Sequence, residues 1–384
     1  MVMKKETTNI TTYVNEEFRP FSVLPLSEVD LACFAKLSYF NFGVFLPDFN
    51  SERTLVSFYQ LNKISSFLDI PGKNDEDRDF VLGMIGNPRF QNIKVFGFRS
   101  VFSKEETEQF AAVSFQLEDS RIILAFRGTD SSWVGWKEDF EMATKAPIPA
   151  QTRASLYLND IFRKFRFKKN RFTLVGHSKG GNLAFYSYLT FKEKFKKRID
   201  QVVSLDGPGL NQDLRRKLSY QDNRAKLYKL VPEESIIGQI YDTDYKAHII
   251  QSDAVLLLQH SLYSWKVVND SFLTGVMKDS VAQTAKTLND WIEQSSGDEK
   301  DLLIETLFSL VSGTDIKTMA DLGRHKIQSF FKIYKQIQKL DPKTKKAFTS
   351  LLKKTYRYFK DFSKVRPESD IDEDRFLSDS RETD

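Results

Sequence analysis

The segment from Arg171 to Leu183, Arg-Phe-Thr-Leu-Val-Gly-His-Ser-Lys-Gly-Gly-Asn-Leu, constrains the fold more than any other. An apolar run with Phe172, Leu174 and Val175 stops abruptly at Gly176-His177-Ser178-Lys179-Gly180, and Leu183-Ala184-Phe185-Tyr186 then suits a helix. The spacing predicts a strand, a sharp turn and a helix with Ser178 at the apex. A serine presented this way needs a strained backbone, and side chains at Gly176 or Gly180 would collide with the neighbouring strand and helix. The helix behind Ser178 aims free backbone N–H groups at the place where an oxyanion would form.

Other strand-to-turn junctions surround this one. Ile93–Phe98, Ala111–Leu117 and Arg121–Phe126 alternate or run apolar, and the last ends at Arg127-Gly-Thr-Asp130. Gln201–Leu205 ends at Asp206-Gly-Pro-Gly209, and Lys226–Val231 at Pro232-Glu-Glu234. Strands separated by helical stretches imply parallel β-α-β units and a three-layer α/β sheet with its site at the carboxyl ends of the strands. Leu26, Val29, Cys33, Phe34 and Leu37 fit a helix capped by Ser27, with Asp30 three residues on.

A chain of 384 residues has room for one main domain and an appended segment, and its 33 phenylalanines supply a core. The lone cysteine, Cys33, sits in an apolar stretch, so a disulfide framework is excluded and a reducing, cytoplasmic location is expected. No apolar run follows Lys4-Lys5, so a signal peptide is not expected. The longest apolar runs fall far short of the ~20 residues that span a bilayer. Residues 1–20 are expected to be flexible, 21–275 to form the α/β domain, 276–366 a basic helical extension and 367–384 an acidic disordered tail. Residues 324–366 carry fourteen Lys or Arg against two acids, which suits peripheral contact with an anionic membrane or a solvated helical face. Nucleic acid is not expected, since no recognised module accompanies the charge.

A serine nucleophile needs a base, a group that orients the base, and oxyanion donors. Four histidines are available. His177 points away from its neighbour Ser178 if the turn is as described, and His325 lies in the basic tail. His248 and His260 both follow the strand Lys226–Val231 and its acidic turn, as the order serine, acid, histidine requires.

Ala125-Phe-Arg-Gly-Thr129 with Trp136 and Asp139, Gly176-His-Ser-Lys-Gly-Gly181, Ser204-Leu-Asp-Gly-Pro208 and Gln259-His-Ser-Leu-Tyr-Ser-Trp265 together resemble the α/β hydrolases related to class 3 lipases. The resemblance is strongest to a bacterial branch largely of unknown function, and it spans about residues 21–273. It implies an α/β-hydrolase fold with a mostly parallel sheet and leaves the C-terminal helices outside the match. It also implies Ser178 as nucleophile, His260 as base, and oxyanion donors at Thr129 and at the backbone of Lys179. The place of the acid reads Pro232-Glu-Glu-Ser-Ile-Ile237, where Glu234 fits the spacing best and Glu233 and Asp206 remain alternatives. Lys179 stands where such lipases carry an uncharged residue; it is expected to pair with Asp206 or Asp130, or else to favour an anionic acyl substrate. The expected activity is hydrolysis of carboxylic, fatty-acyl esters through a Ser-His-Glu triad, with no cofactor and no metal. The rival expectation is a decayed hydrolase fold serving as a binding module.

Overall fold

The computed structural model describes residues 7–312 apart from 61–62, 71–72, 131, 143, 146, 219 and 242–246, together with 336–338, 340, 342–350 and 353. Among the described residues eight strands form one sheet whose spatial order follows the chain: β1 (Glu52–Thr54), β2 (Lys94–Ser103), β3 (Glu108–Gln116), β4 (Ile122–Phe126), β5 (Phe172–His177), β6 (Ile199–Leu205), β7 (Leu227–Pro232) and β8 (His248–Ile250). The first four pair antiparallel and β4 through β8 pair parallel. Hairpin-length turns join β2 to β3 and β3 to β4, a long helical connection joins β1 to β2, and each parallel pair needs a crossover long enough to return the chain to the same end of the sheet.

Period-2 alternation sends successive side chains to opposite faces. Ile123, Ala125, Val175 and Val203 belong to one core with Val29, Phe34 and Phe90. Ile122, Leu124, Phe126, Leu174 and Val202 belong to the other, with Tyr157, Leu158, Leu183 and Phe185. The helices that cover these faces are α1 (Ile10–Glu16), α2 (Glu28–Leu37) and α3 (Asp77–Gly86) on the first, and α5 (Pro149–Lys164) and α6 (Lys179–Leu189) on the second. Between them in the chain lies α4 (Trp133–Glu141). The outcome is the expected three-layer α/β-hydrolase architecture.

Ser27 and Asp30 form the expected capping box of α2, and the buried Asp30 carboxylate also takes Arg89 Nη2 at 2.6 Å. The expectation of a flexible segment 1–20 fails where the structure describes it. Asn9 caps α1, Ile10, Tyr13 and Val14 are buried, and Thr8 bridges Val267. Three apolar residues on one face of a two-turn helix are enough to dock it, yet too few to stand out in a polar stretch.

The expected boundary at 275 fails as well. The first compact unit runs to Lys339 and includes α7 (Asp279–Gln294) and α8 (Gly297–Ser312). In the second unit, from Leu340 on, residues 342–350 are helical. Most of the basic segment 324–366, His325 and the acidic tail lie outside the described residues. No helix among the described residues is long and apolar enough to cross a membrane.

The basic clusters 163–171 and 192–198 lead directly into β5 and β6, at the sheet edge opposite Ser178. Phe167, 93% exposed, stands among Arg166, Lys168 and Lys169, all exposed.

Candidate active site

Ser178 follows β5 with φ 57° and ψ −132°, a conformation that costs a non-glycine residue about 1–3 kcal/mol and persists only where its surroundings enforce it. They do so here. A Cβ on Gly176 would lie 2.1 Å from the Gly180 carbonyl carbon, and one on Gly180 would lie 2.1 Å from the Phe126 oxygen. The Ser178 N–H donates to Leu205 O at 3.0 Å, so the turn is tied to the end of β6.

Asp206, the residue just after that strand, is fully buried and also has positive φ, 49°. Its Oδ2 lies 2.7 Å from His260 Nδ1 and accepts the Ser235 hydroxyl at 2.7 Å, while its Oδ1 accepts the Gly238 N–H at 3.1 Å. Three donors converge on one dry carboxylate, fixing it as an acceptor for the imidazole. His260, with a side chain 21% exposed, is held in a short turn, Leu256–His260, beyond β8.

Glu234, expected behind the ring, is elsewhere. Its carboxylate takes Lys278 Nζ, and its backbone N–H donates to Gln259 Oε1 at 2.9 Å. The reason is strand geometry. Neighbouring strands are ~4.8 Å apart, so an acid at the end of β6 stands beside the nucleophile strand, whereas one after β7 stands twice as far away. Glu233 donates its N–H to Ile250 O at 3.0 Å on the far side of β7. His248 lies exposed on β8 with its ring 4.3 Å from that of Tyr228. Of the histidines weighed from sequence, His260 is the one brought to the carboxylate beside Ser178.

Lys179 pairs with neither Asp206 nor Asp130. Its fully buried ammonium donates to Glu138 Oε2 at 2.8 Å and Gln109 O at 3.1 Å, with Asp139 Oδ1 at 3.6 Å. Glu138 also accepts the Gln109 and Ala150 amides at 3.1 and 3.0 Å. The cation is thus neutralised on the spot, which removes the reason to expect an anionic acyl substrate. Thr129 follows β4, and its hydroxyl donates to Asp139 Oδ2. Burial pushes the Asp139 carboxyl up to about 6, against the opposing pull of Lys179. Lys179 opens α6 directly after Ser178, so its N–H belongs to the first turn, whose amides have no partner within the helix.

A cavity of about 190 Å³ opens beside Ser178, walled by Trp136 and Phe140 of α4, Ile240 beyond β7, and Trp291 and Leu303 of α7 and α8. The helices expected to form a separate extension therefore supply one wall of the site. Sequence periodicity identified them as amphipathic without showing what they cover.

A model of the Mbeg1-like family matches residues 84–309, more than half of the chain. The chain belongs to the Mbeg1-like family. This is a lipase-like family, and the matched range takes in Thr129, Ser178, Asp206, His260, α4, α7 and α8 as far as residue 309. The Mbeg1-like fold described here is similar to that of M37 lipase, at 18% identity over 56% of this chain and 70% of that one, with a TM-score of 0.34. Lipase II from Rhizopus niveus is similar at 14% identity over 48% of this chain and 74% of that one, with a TM-score of 0.31. No curated protein sequence matches the chain.

Proposed function

We propose that this lipase-like hydrolase is a serine carboxylic-ester hydrolase whose triad is Ser178, His260 and Asp206. The observation that carries the reading is the 2.7 Å contact from His260 Nδ1 to the buried Asp206, at the strand end to which the strained Ser178 is itself hydrogen-bonded. With Nδ1–H donated to Asp206, Nε2 is the acceptor and can take the serine proton. Ser178 Oγ attacks the ester carbonyl, His260 takes the proton and returns it to the leaving alcohol, and Asp206 offsets the imidazolium charge. Water then cleaves the acyl-enzyme by the same steps in reverse. The backbone N–H groups of Thr129 and Lys179 receive the oxyanion, and loss of one such donor costs about 10²–10³ in turnover.

The aromatic and aliphatic cavity wall supports an acyl substrate. At 190 Å³ it is somewhat larger than the ~150 Å³ apolar cavity that holds a benzene-sized guest, which favours chains of about four to eight carbons. Hydrolysis of p-nitrophenyl esters should peak in that range and vanish in Ser178→Ala. A wild-type protein inert to the whole series would favour the binding-module alternative. Most of segment 324–366, for which peripheral membrane contact is expected, lies outside the described residues. What supports an anionic partner among the described ones is the basic edge around Phe167.

A further inference from the structure

We propose that Tyr39 and His177 form a positioning pair that holds the oxyanion loop, the nucleophile strand and the histidine loop in mutual register. The inference rests on the ester-hydrolase reading above and assigns work to two residues that reading does not use.

His177 is the last residue of β5, immediately before Ser178. Its Nε2 lies 2.7 Å from the backbone oxygen of His260, and its Nδ1 lies 2.8 Å from the Tyr39 hydroxyl. A carbonyl can only accept, so Nε2 carries the hydrogen. Burial, together with the neighbouring His260, holds the His177 ring well below the ordinary histidine range and therefore neutral. Nδ1 is then an acceptor and the Tyr39 O–H donates to it. The Tyr39 hydroxyl also packs against the backbone of Gly128, the residue before Thr129, where an added Cβ would lie 2.2 Å from it.

The two hydrogen bonds run in one direction, from Tyr39 to His177 to His260, and the Gly128 backbone packs against their Tyr39 end. They join three segments that meet at the reaction centre and that no sheet ladder connects at this level. The base-bearing segment is a short turn also held by the Trp265 Nε1–H donating to Gln259 O at 2.8 Å and by Gln259 Oε1 accepting the Glu234 N–H at 2.9 Å. The rings of His177 and His260 are 4.5 Å apart, so a shift of the first is felt directly by the second. A misplacement of about 1 Å between reacting groups costs on the order of 10² in rate, which is the scale expected here.

The test compares His177→Leu, His177→Gln and Tyr39→Phe with wild type for ester kcat and KM, fluorophosphonate labelling rate and melting temperature. His177→Leu should lower kcat and labelling about 10²-fold with KM within about threefold. Glutamine can donate through Nε2 and accept through Oε1, so His177→Gln should recover at least tenfold of that loss. Adding Tyr39→Phe to His177→Leu should cost nothing further, because the chain is already cut. Wild-type kcat in His177→Leu would overturn the proposal, as would kcat losses that track melting temperature with no rescue by glutamine. Should the leucine variant not fold, His177→Gln and Tyr39→Phe decide the matter through the same kcat-against-KM split. A wild-type protein that neither hydrolyses esters nor labels refutes the hydrolase reading itself, an outcome distinct from normal labelling in the variants.

Discussion

Replacing Asp206 by asparagine separates the two candidate acids. The buried carboxylate faces His260 Nδ1 at 2.7 Å and is held by Ser235 and Gly238. Asparagine keeps the shape, but its amide either donates toward Nδ1 or leaves the ring without a charged partner. Nε2 would then carry the proton and could not serve as the base. The comparable change in a serine protease triad lowers kcat by about 10⁴, and with ~1.36 kcal/mol per decade the expected loss is near 5 kcal/mol of transition-state stabilisation. Glu234→Gln removes a pair with Lys278, whose side chain is 56% exposed, and pairs of this kind are worth about 0–1 kcal/mol. Its turnover should stay within about threefold of wild type. Both variants are to be assayed on one p-nitrophenyl ester under saturating conditions, with melting temperature as a check on folding. A crippled Glu234→Gln beside a nearly normal Asp206→Asn would refute the assignment and restore the glutamate.

Lys179→Met leaves Glu138 charged in a dry site and should cost about 3–5 kcal/mol in denaturant unfolding; the double variant Glu138→Gln/Lys179→Met should regain most of it, and additive losses would refute the pairing argument. Asp139 titrates near 6 in the folded chain against 3.8 as its reference, so the folded state binds the extra proton and this residue's contribution to stability falls as pH rises from about 4 to 6. Asp139→Asn should therefore gain on wild type by on the order of 2 kcal/mol between pH 4 and pH 7, and a difference independent of pH would contradict the burial argument. The full-length protein should sediment with phosphatidylserine-containing vesicles at low salt and less so at 0.5 M salt, on the order of a threefold Debye-length change, with Phe167→Ala weakening binding; equal behaviour with neutral vesicles would remove the electrostatic account.

The central strands and the elbow were legible because they follow local rules. Alternation at 122–126 and the glycine spacing at 176–180 each depend on a few adjacent residues. The strained turn at Ser178 was legible for the same reason, with the motif as the signal. The carboxylate that partners His260 was not, since choosing between Asp206 and Glu234 requires knowing which strand lies next to β5. That adjacency is a tertiary fact, although Asp206 sat in a recognised strand-end turn. The partner of Lys179 was misassigned because its carboxylate partners come from α4, whose approach to the elbow is invisible in a linear reading. Tyr39 gives no local signal: 138 residues separate it from His177. The amphipathic pattern of α7 and α8 was plain, whereas their service as a cavity wall depended on the packing of the compact unit.

The most direct measurement is the mass of the protein after reaction with a fluorophosphonate, followed by mapping of the modified peptide. One adduct per chain, located on Ser178 and abolished by Ser178→Ala and by removal of the His260 imidazole, is the predicted result. Absence of any adduct on the folded wild-type protein, or a stoichiometric adduct on another residue that survives Ser178→Ala, would contradict the account.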